Sequence, residues 1–150
     1  MVTGENLVAD STIFLIEDDA AVRDALSISL RLAGLRIEVY GFGEAFLDAY
    51  TKVRSGCLLL NLSQPQMEGL MVQQELLRRN FPIPIIFMTE IGRAQDALLA
   101  FQSGAFRLLE KPFTRSLLLD SIREAMEYGC RNSSAIAHQA TSEYYDANFR

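Results

Sequence analysis

Short apolar runs of strand length alternate along this chain with longer stretches in which apolar residues recur every three or four positions. The runs occupy residues 12–17, 35–40, 57–61, 83–88 and 106–110. Three of them, Ile13-Phe14-Leu15-Ile16, Cys57-Leu58-Leu59-Leu60 and Ile85-Ile86-Phe87-Met88, are apolar without alternation, which predicts central strands covered on both faces. After the first run Val22, Leu26, Leu30 and Ala33 fall at helical spacing and stop at Gly34, a residue that accepts a left-handed C-terminal cap. Comparable periodicity predicts helices over 44–53, 70–79, 93–102, ending before Gly104, and 115–128. The order is (βα)5, an α/β domain with a parallel, doubly wound sheet.

This pattern assigns 12–128 to the domain and 1–11 to an N-terminal tail. From 129 to 150 it fades into Ser, Ala and Asn with Tyr144 and Tyr145, a tail or linker with no core of its own. Ala135, Ile136 and Ala140 leave open a second reading, in which the last helix continues as a dimerising or spacer helix. A chain of 150 residues, half of them apolar, fills one core of ordinary size. Its 14 basic against 19 acidic residues, a formal charge of −5, disfavour direct contact with nucleic acid, because neutralising phosphates needs a basic face. Neither a signal peptide nor a run of membrane-spanning length is present in the sequence, so a cytoplasmic protein is expected. Cys57, Cys130 and His138 make neither a disulfide framework nor a zinc site, and both cysteines are expected as free thiols.

The candidate chemistry sits where strands end. Glu17-Asp18-Asp19 follows the first run, Asn61 closes the third, Thr89 follows the fourth and Lys111 the fifth. Parallel strands point one way, so these groups gather along the carboxyl edge of the sheet, where open α/β folds bind ligands. Paired carboxylates suit a hard divalent cation such as Mg²⁺. A lysine with a nearby hydroxyl suits phosphoryl oxygens. Each feature alone has an ordinary reading: a helix cap for the acidic triplet, a turn for Lys111-Pro112, a strand end for Thr89. Their shared placement is what distinguishes them.

The runs Phe14-Leu15-Ile16-Glu17-Asp18-Asp19, Cys57 to Asn61, Pro65-Gln66-Met67-Glu68-Gly69, Ile85 to Thr89, Ser103-Gly104-Ala105 and Glu110-Lys111-Pro112-Phe113, in this order, resemble the receiver domain of two-component response regulators. Within that family the likeness is to the nitrogen-fixation branch, whose receivers precede a LuxR-type helix-turn-helix domain. It extends over residues 12–128. The resemblance implies the flavodoxin-like strand order 2-1-3-4-5, a Mg²⁺ site, and phosphoryl transfer from a sensor histidine kinase to an aspartate. Residue by residue, Glu17 and Asp18 match the metal-binding acidic pair, Thr89 the switch hydroxyl and Lys111 the phosphate-contacting lysine. Pro112 matches a proline that often follows a cis bond. The same family pairs through the face formed here by 93–102, the fifth strand and the last helix. Leu98, next to the expected core residues Ala97 and Phe101, is expected to be exposed on that face.

Asn61 stands at the phosphoacceptor position. A carboxamide is neutral and its nitrogen lone pair is delocalised, so it offers no in-line nucleophile and no acyl phosphate. Its amide oxygen remains able to join Glu17 and Asp18 around a weakly held Mg²⁺. Other departures accompany it. Glu90 replaces the small residue after the switch threonine, Leu108 replaces an aromatic three positions before the lysine, and Ser63-Gln64 replaces a basic and apolar pair. The sequence reads as an atypical receiver that is not phosphorylated at Asn61 and that regulates a LuxR-type transcription factor, with a sensor kinase or other signalling protein as partner. Two alternatives stay open: a stand-alone module that binds a kinase or partner without DNA, and a phosphate-handling or flavin-binding enzyme. An acidic first loop repels the phosphate a flavin would bring.

Overall fold

Residue 12 is where the first strand begins, and the computed structural model describes residues 11–62, 68–90, 92, 94–102 and 104–134. The strands are β1 (Thr12–Ile16), β2 (Arg36–Tyr40), β3 (Gly56–Asn61), β4 (Ile85–Glu90) and β5 (Arg107–Lys111). The helices are α1 (Ala20–Leu32), α2 (Gly43–Ala49), α3 (Glu68–Arg78), α4 (Ala94–Gln102) and α5 (Arg115–Ser134). All strand pairings are parallel, in the order β2-β1-β3-β4-β5. The unbroken apolar runs are the three inner strands. Alternate residues of β1 separate to opposite faces: Phe14 and Ile16 join Leu58, Leu60, Phe87, Phe46 and Tyr50, whereas Ile13 and Leu15 join Leu59, Ile86, Met88, Ile122 and Met126. Each fully buried large side chain contributes roughly 1.5–3 kcal/mol from removal of apolar surface from water.

Local chemistry sets the element ends. α1 closes at Ala33, and Gly34 follows at φ +85°, the left-handed turn that sequence placed there. α2 is shorter than its periodicity suggested, ending at Ala49 rather than 53. Tyr50 is drawn into the core beneath Phe14 and Phe46, and its hydroxyl accepts from Arg54 N at 3.2 Å while donating to Arg54 O at 3.3 Å. Burying that ring takes residue 50 out of helical geometry. β4 begins two residues later than 83, because Pro84 has no N–H to donate and Ile83 N bonds back to Phe81 O. It continues through Thr89 and Glu90, so these residues belong to the strand itself. Phe101, expected in the core, is 45% exposed, and the neighbouring Ala100 is buried in its place. A small residue lets α4 approach the sheet closely, and a 100° step round the helix turns Phe101 outward. α5 runs past Tyr128 to Ser134, while 135–150, with Ile136, His138 and Ala140, and the tail residues 1–10 lie outside the described residues.

Candidate functional site

β1 delivers Glu17 to the carboxyl edge and β2 holds it there, since Glu17 N donates to Tyr40 O at 3.1 Å. Its carboxylate is buried, 1% exposed. Asn61, the last residue of β3, donates from Nδ2 to Glu17 Oε2 at 2.9 Å. A carboxylate only accepts, so the amide must turn its nitrogen, not its oxygen, toward Glu17. Asp19 N donates to the same oxygen at 3.2 Å. Lys111 Nζ, at the end of β5, lies 3.7 Å from Oε1, which is buried and accepts no hydrogen bond among the described residues. Burial pushes the Glu17 carboxyl above its ordinary range, and a hydrogen bond with Asp18 acts in the same direction. The Asn61 amide, the Asp19 N–H and the Lys111 charge oppose it.

The acidic triplet therefore divides its work. Glu17 turns inward. Asp18 is exposed and hydrogen-bonded to Glu17. Asp19 is the N-cap of α1, accepting from Ala21 N at 2.9 Å and Val22 N at 3.2 Å, so the capping reading holds for this residue. Thr89 is buried on β4, one position beyond Met88, the cross-strand partner of Asn61; its Oγ1 donates to Glu90 O at 3.5 Å. Glu90 is exposed and lies opposite Lys111 in the β4–β5 register. Asp18, Asn61 and Lys111 thus each meet the Glu17 carboxylate, with Thr89 and Glu90 on the strand between β3 and β5. Leu108 is half-buried opposite Phe87, against the first core layer, and the Lys111-Pro112 bond is cis. Ser63-Gln64 and most of the Pro65–Gly69 motif fall outside the described residues. Sequence reasoning passed over Arg23, whose Nη1 donates to Glu17 O at 2.9 Å and pins the loop from below; its signal was one turn of helix from the Asp19 cap. Cys57 is a buried free thiol, its pKa pushed to about 12 by burial.

Such an edge, an acidic pair and a lysine converging on the end of β3 in a 2-1-3-4-5 sheet, defines a receiver-type signalling domain. The family model for the response regulator receiver domain matches residues 13–123, and the chain belongs to that family. The chain is 37% identical over 116 residues to the transcriptional regulatory protein TdiR of Thauera aromatica, covering 77% of this chain and 51% of the relative. It is 34% identical over 114 residues to the transcriptional regulatory protein FixJ of Bradyrhizobium diazoefficiens, covering 76% and 56%. The chain spans about half the length of these relatives. The crystal structure of FixJ-N superposes with a TM-score of 0.75 at 31% identity, over 79% of this chain and 95% of that one. Receiver domains are signalling modules that generally bind Mg²⁺ at the phosphorylation site, interact with sensor histidine kinases and can form dimers. No helix among the described residues is long and apolar enough to cross a membrane.

Proposed function

We propose that this chain is an atypical receiver, the regulatory part of a LuxR-type transcriptional regulator, which signals without forming an aspartyl phosphate. The observation that carries the reading is the Asn61 Nδ2–Glu17 Oε2 hydrogen bond of 2.9 Å. A neutral amide occupies the nucleophile's position, and it donates to the acidic pair instead of attacking phosphorus. The residues present fit a hard cation only in part. Glu17 and Asp18 supply oxygens, with Glu17 Oε1 unsatisfied, but Asn61 would have to release Glu17 and rotate to offer its own oxygen. Among the described residues no group of three or more His, Cys, Asp or Glu gathers to hold a metal. Weak Mg²⁺ binding follows, and a bound ion would supply only charge neutralisation at this edge. The partner is a sensor kinase or other signalling protein. Pairing of two copies uses the α4-β5-α5 face, where Leu98 is 58% exposed. The matched segment is only about half of each relative that carries the name of transcriptional regulator, which supports a further domain in the whole protein.

Mass spectrometry after incubation with a small-molecule phosphodonor and Mg²⁺ tests the central claim. The expected spectrum is that of the unmodified chain, and stoichiometric phosphorylation at the carboxyl edge overturns it.

A further inference from the structure

On the flank of the sheet, α2 and α3 enclose a groove of ≈ 510 Å³, with Phe42 and Met71 at the helix ends nearest the carboxyl edge. Its floor is apolar, with Val72 buried and Leu47 half-buried, and Phe42 and Met71 stand over it at 54% and 63% exposure. Three features of α2 run against local preference, and all line this groove. Phe42 occupies the N-cap, where a hydrogen-bonding side chain is favoured, and provides no cap bond. Glu44 and Asp48 are an i,i+4 pair of like charge, both exposed. Asp48 also sits in the last helical turn, where a carboxylate opposes the negative end of the helix and no basic residue is present. Residues that break local rules without a structural return mark functional positions. The groove's own cation does not relieve them, because Arg79 is committed to Glu75 Oε2 at 2.8 Å and Leu47 O at 2.9 Å.

We propose that the α2–α3 groove is a docking site for a basic amphipathic helix of a partner protein. Apolar side chains of that helix enter between Phe42 and Met71, and its Lys or Arg side chains pair with Glu44 and Asp48. Charge complementarity selects the occupant: an anionic rim over an apolar floor rejects acidic segments and attracts basic ones. Two flanking helices give the geometry of helix-in-groove recognition, and a flexible methionine at the lip adapts to the anchors. The inference does not depend on whether Asn61 accepts a phosphoryl group.

The probe is a labelled peptide of about 15 residues with leucines at i, i+3, i+4 and i+7 and lysines on the flanks, titrated by fluorescence anisotropy against the full chain. Its counterpart carries glutamates in place of the lysines. The lysine peptide is expected to bind, with an affinity that falls as salt rises, and the glutamate peptide is not. Met71→Asp should weaken binding about tenfold or more. The double variant Glu44→Lys/Asp48→Lys should reverse the preference toward the glutamate peptide. Leu98→Glu, on another face, should leave both unchanged. Absence of binding, equal affinity for the two peptides, or unchanged preference in the double variant overturns the proposal. The charge substitutions lie at exposed positions, so the double variant separates failure to bind from failure to fold.

Discussion

At position 61 one atom decides the chemistry of the whole edge: an amide nitrogen donates where a carboxylate oxygen would repel. Asn61→Asp sets a further carboxylate against buried Glu17, beside that of Asp18, and removes the N–H that donated to it at 2.9 Å. Loss of a buried hydrogen bond to a charged group costs about 1.5–3 kcal/mol, so the variant should melt below the wild type in chelator. Mg²⁺ relieves the repulsion, and added Mg²⁺ should raise the variant's Tm well above any effect on the wild type. Equal Mg²⁺ responses in the two would contradict this. The variant should also regain slow labelling by a small phosphodonor, faster when Glu90→Ala removes an exposed carboxylate from the entrance. Leu108 lacks the ring whose reorientation the family uses, so labelling should not drive strong dimerisation. Fast labelling of Asn61→Asp with strong phosphate-dependent pairing would refute the combined reading. The residue types at this edge were legible in the sequence because each ends a strand. The direction of the Asn61 amide was not, since it follows from a contact with the Glu17 carboxylate, 44 residues away in the chain, that no local pattern shows.

Elements of this fold are positioned by contacts that periodicity does not encode. Gly56 opens β3 at φ +151°, and a Cβ there would lie 1.8 Å from Thr12 O on the neighbouring strand. Relief requires β1 and β3 to separate, so Gly56→Ala should cost at least about 2 kcal/mol in urea unfolding, from strain and overpacking together. A cost below 1 kcal/mol, within the range of ordinary surface substitutions, would mean the strands part freely. The segment before β3 is also tied to the edge strand: Arg54 Nη2 lies 2.5 Å from Glu38 Oε2, and its guanidinium covers Phe14 at 4.9 Å. The Arg54 hydrogen bonds hold the Glu38 carboxyl below its ordinary value. A depressed carboxylate contributes stability above the unfolded pKa of about 4.5, and that contribution is lost as pH falls through the folded value. Both side chains are more than a third exposed, so the contribution is no more than about 1 kcal/mol. Tm profiles of wild type and Glu38→Gln should therefore differ at neutral pH and converge in acid; parallel profiles would remove the assignment. The same tie explains what the sequence concealed. The apolar pattern through residue 53 continued a helix on paper, but Tyr50 finds its partners in Arg54 and the aromatic core.

At the scale of the molecule, the identity of the inner strands followed from runs apolar on every residue, because only inner strands of a doubly wound sheet need two dry faces, whereas the order 2-1-3-4-5 came from the family resemblance. The outer surfaces were less legible, since exposure changes with a single step round a helix. α4 illustrates this: Leu98 was expected outside and Phe101 inside, yet Leu98, Leu99 and Phe101 are exposed at 58%, 43% and 45%. Three large apolar side chains on one nine-residue helix make a larger patch than Leu98 alone. Association of two copies through α4, β5 and α5 would cover it, and such a patch on a solitary domain carries a cost in water of about 25 cal/mol per Å² left exposed. Sedimentation equilibrium should then show concentration-dependent dimers in the wild type without any phosphodonor. Leu98→Glu places a charge inside the patch, and together with Phe101→Glu it should yield monomers over the same range. Met71→Asp, in the α2–α3 groove, should leave the dimer intact. A monomeric wild type at high concentration, or dimers that survive both α4 substitutions, would show that these side chains serve something other than self-association.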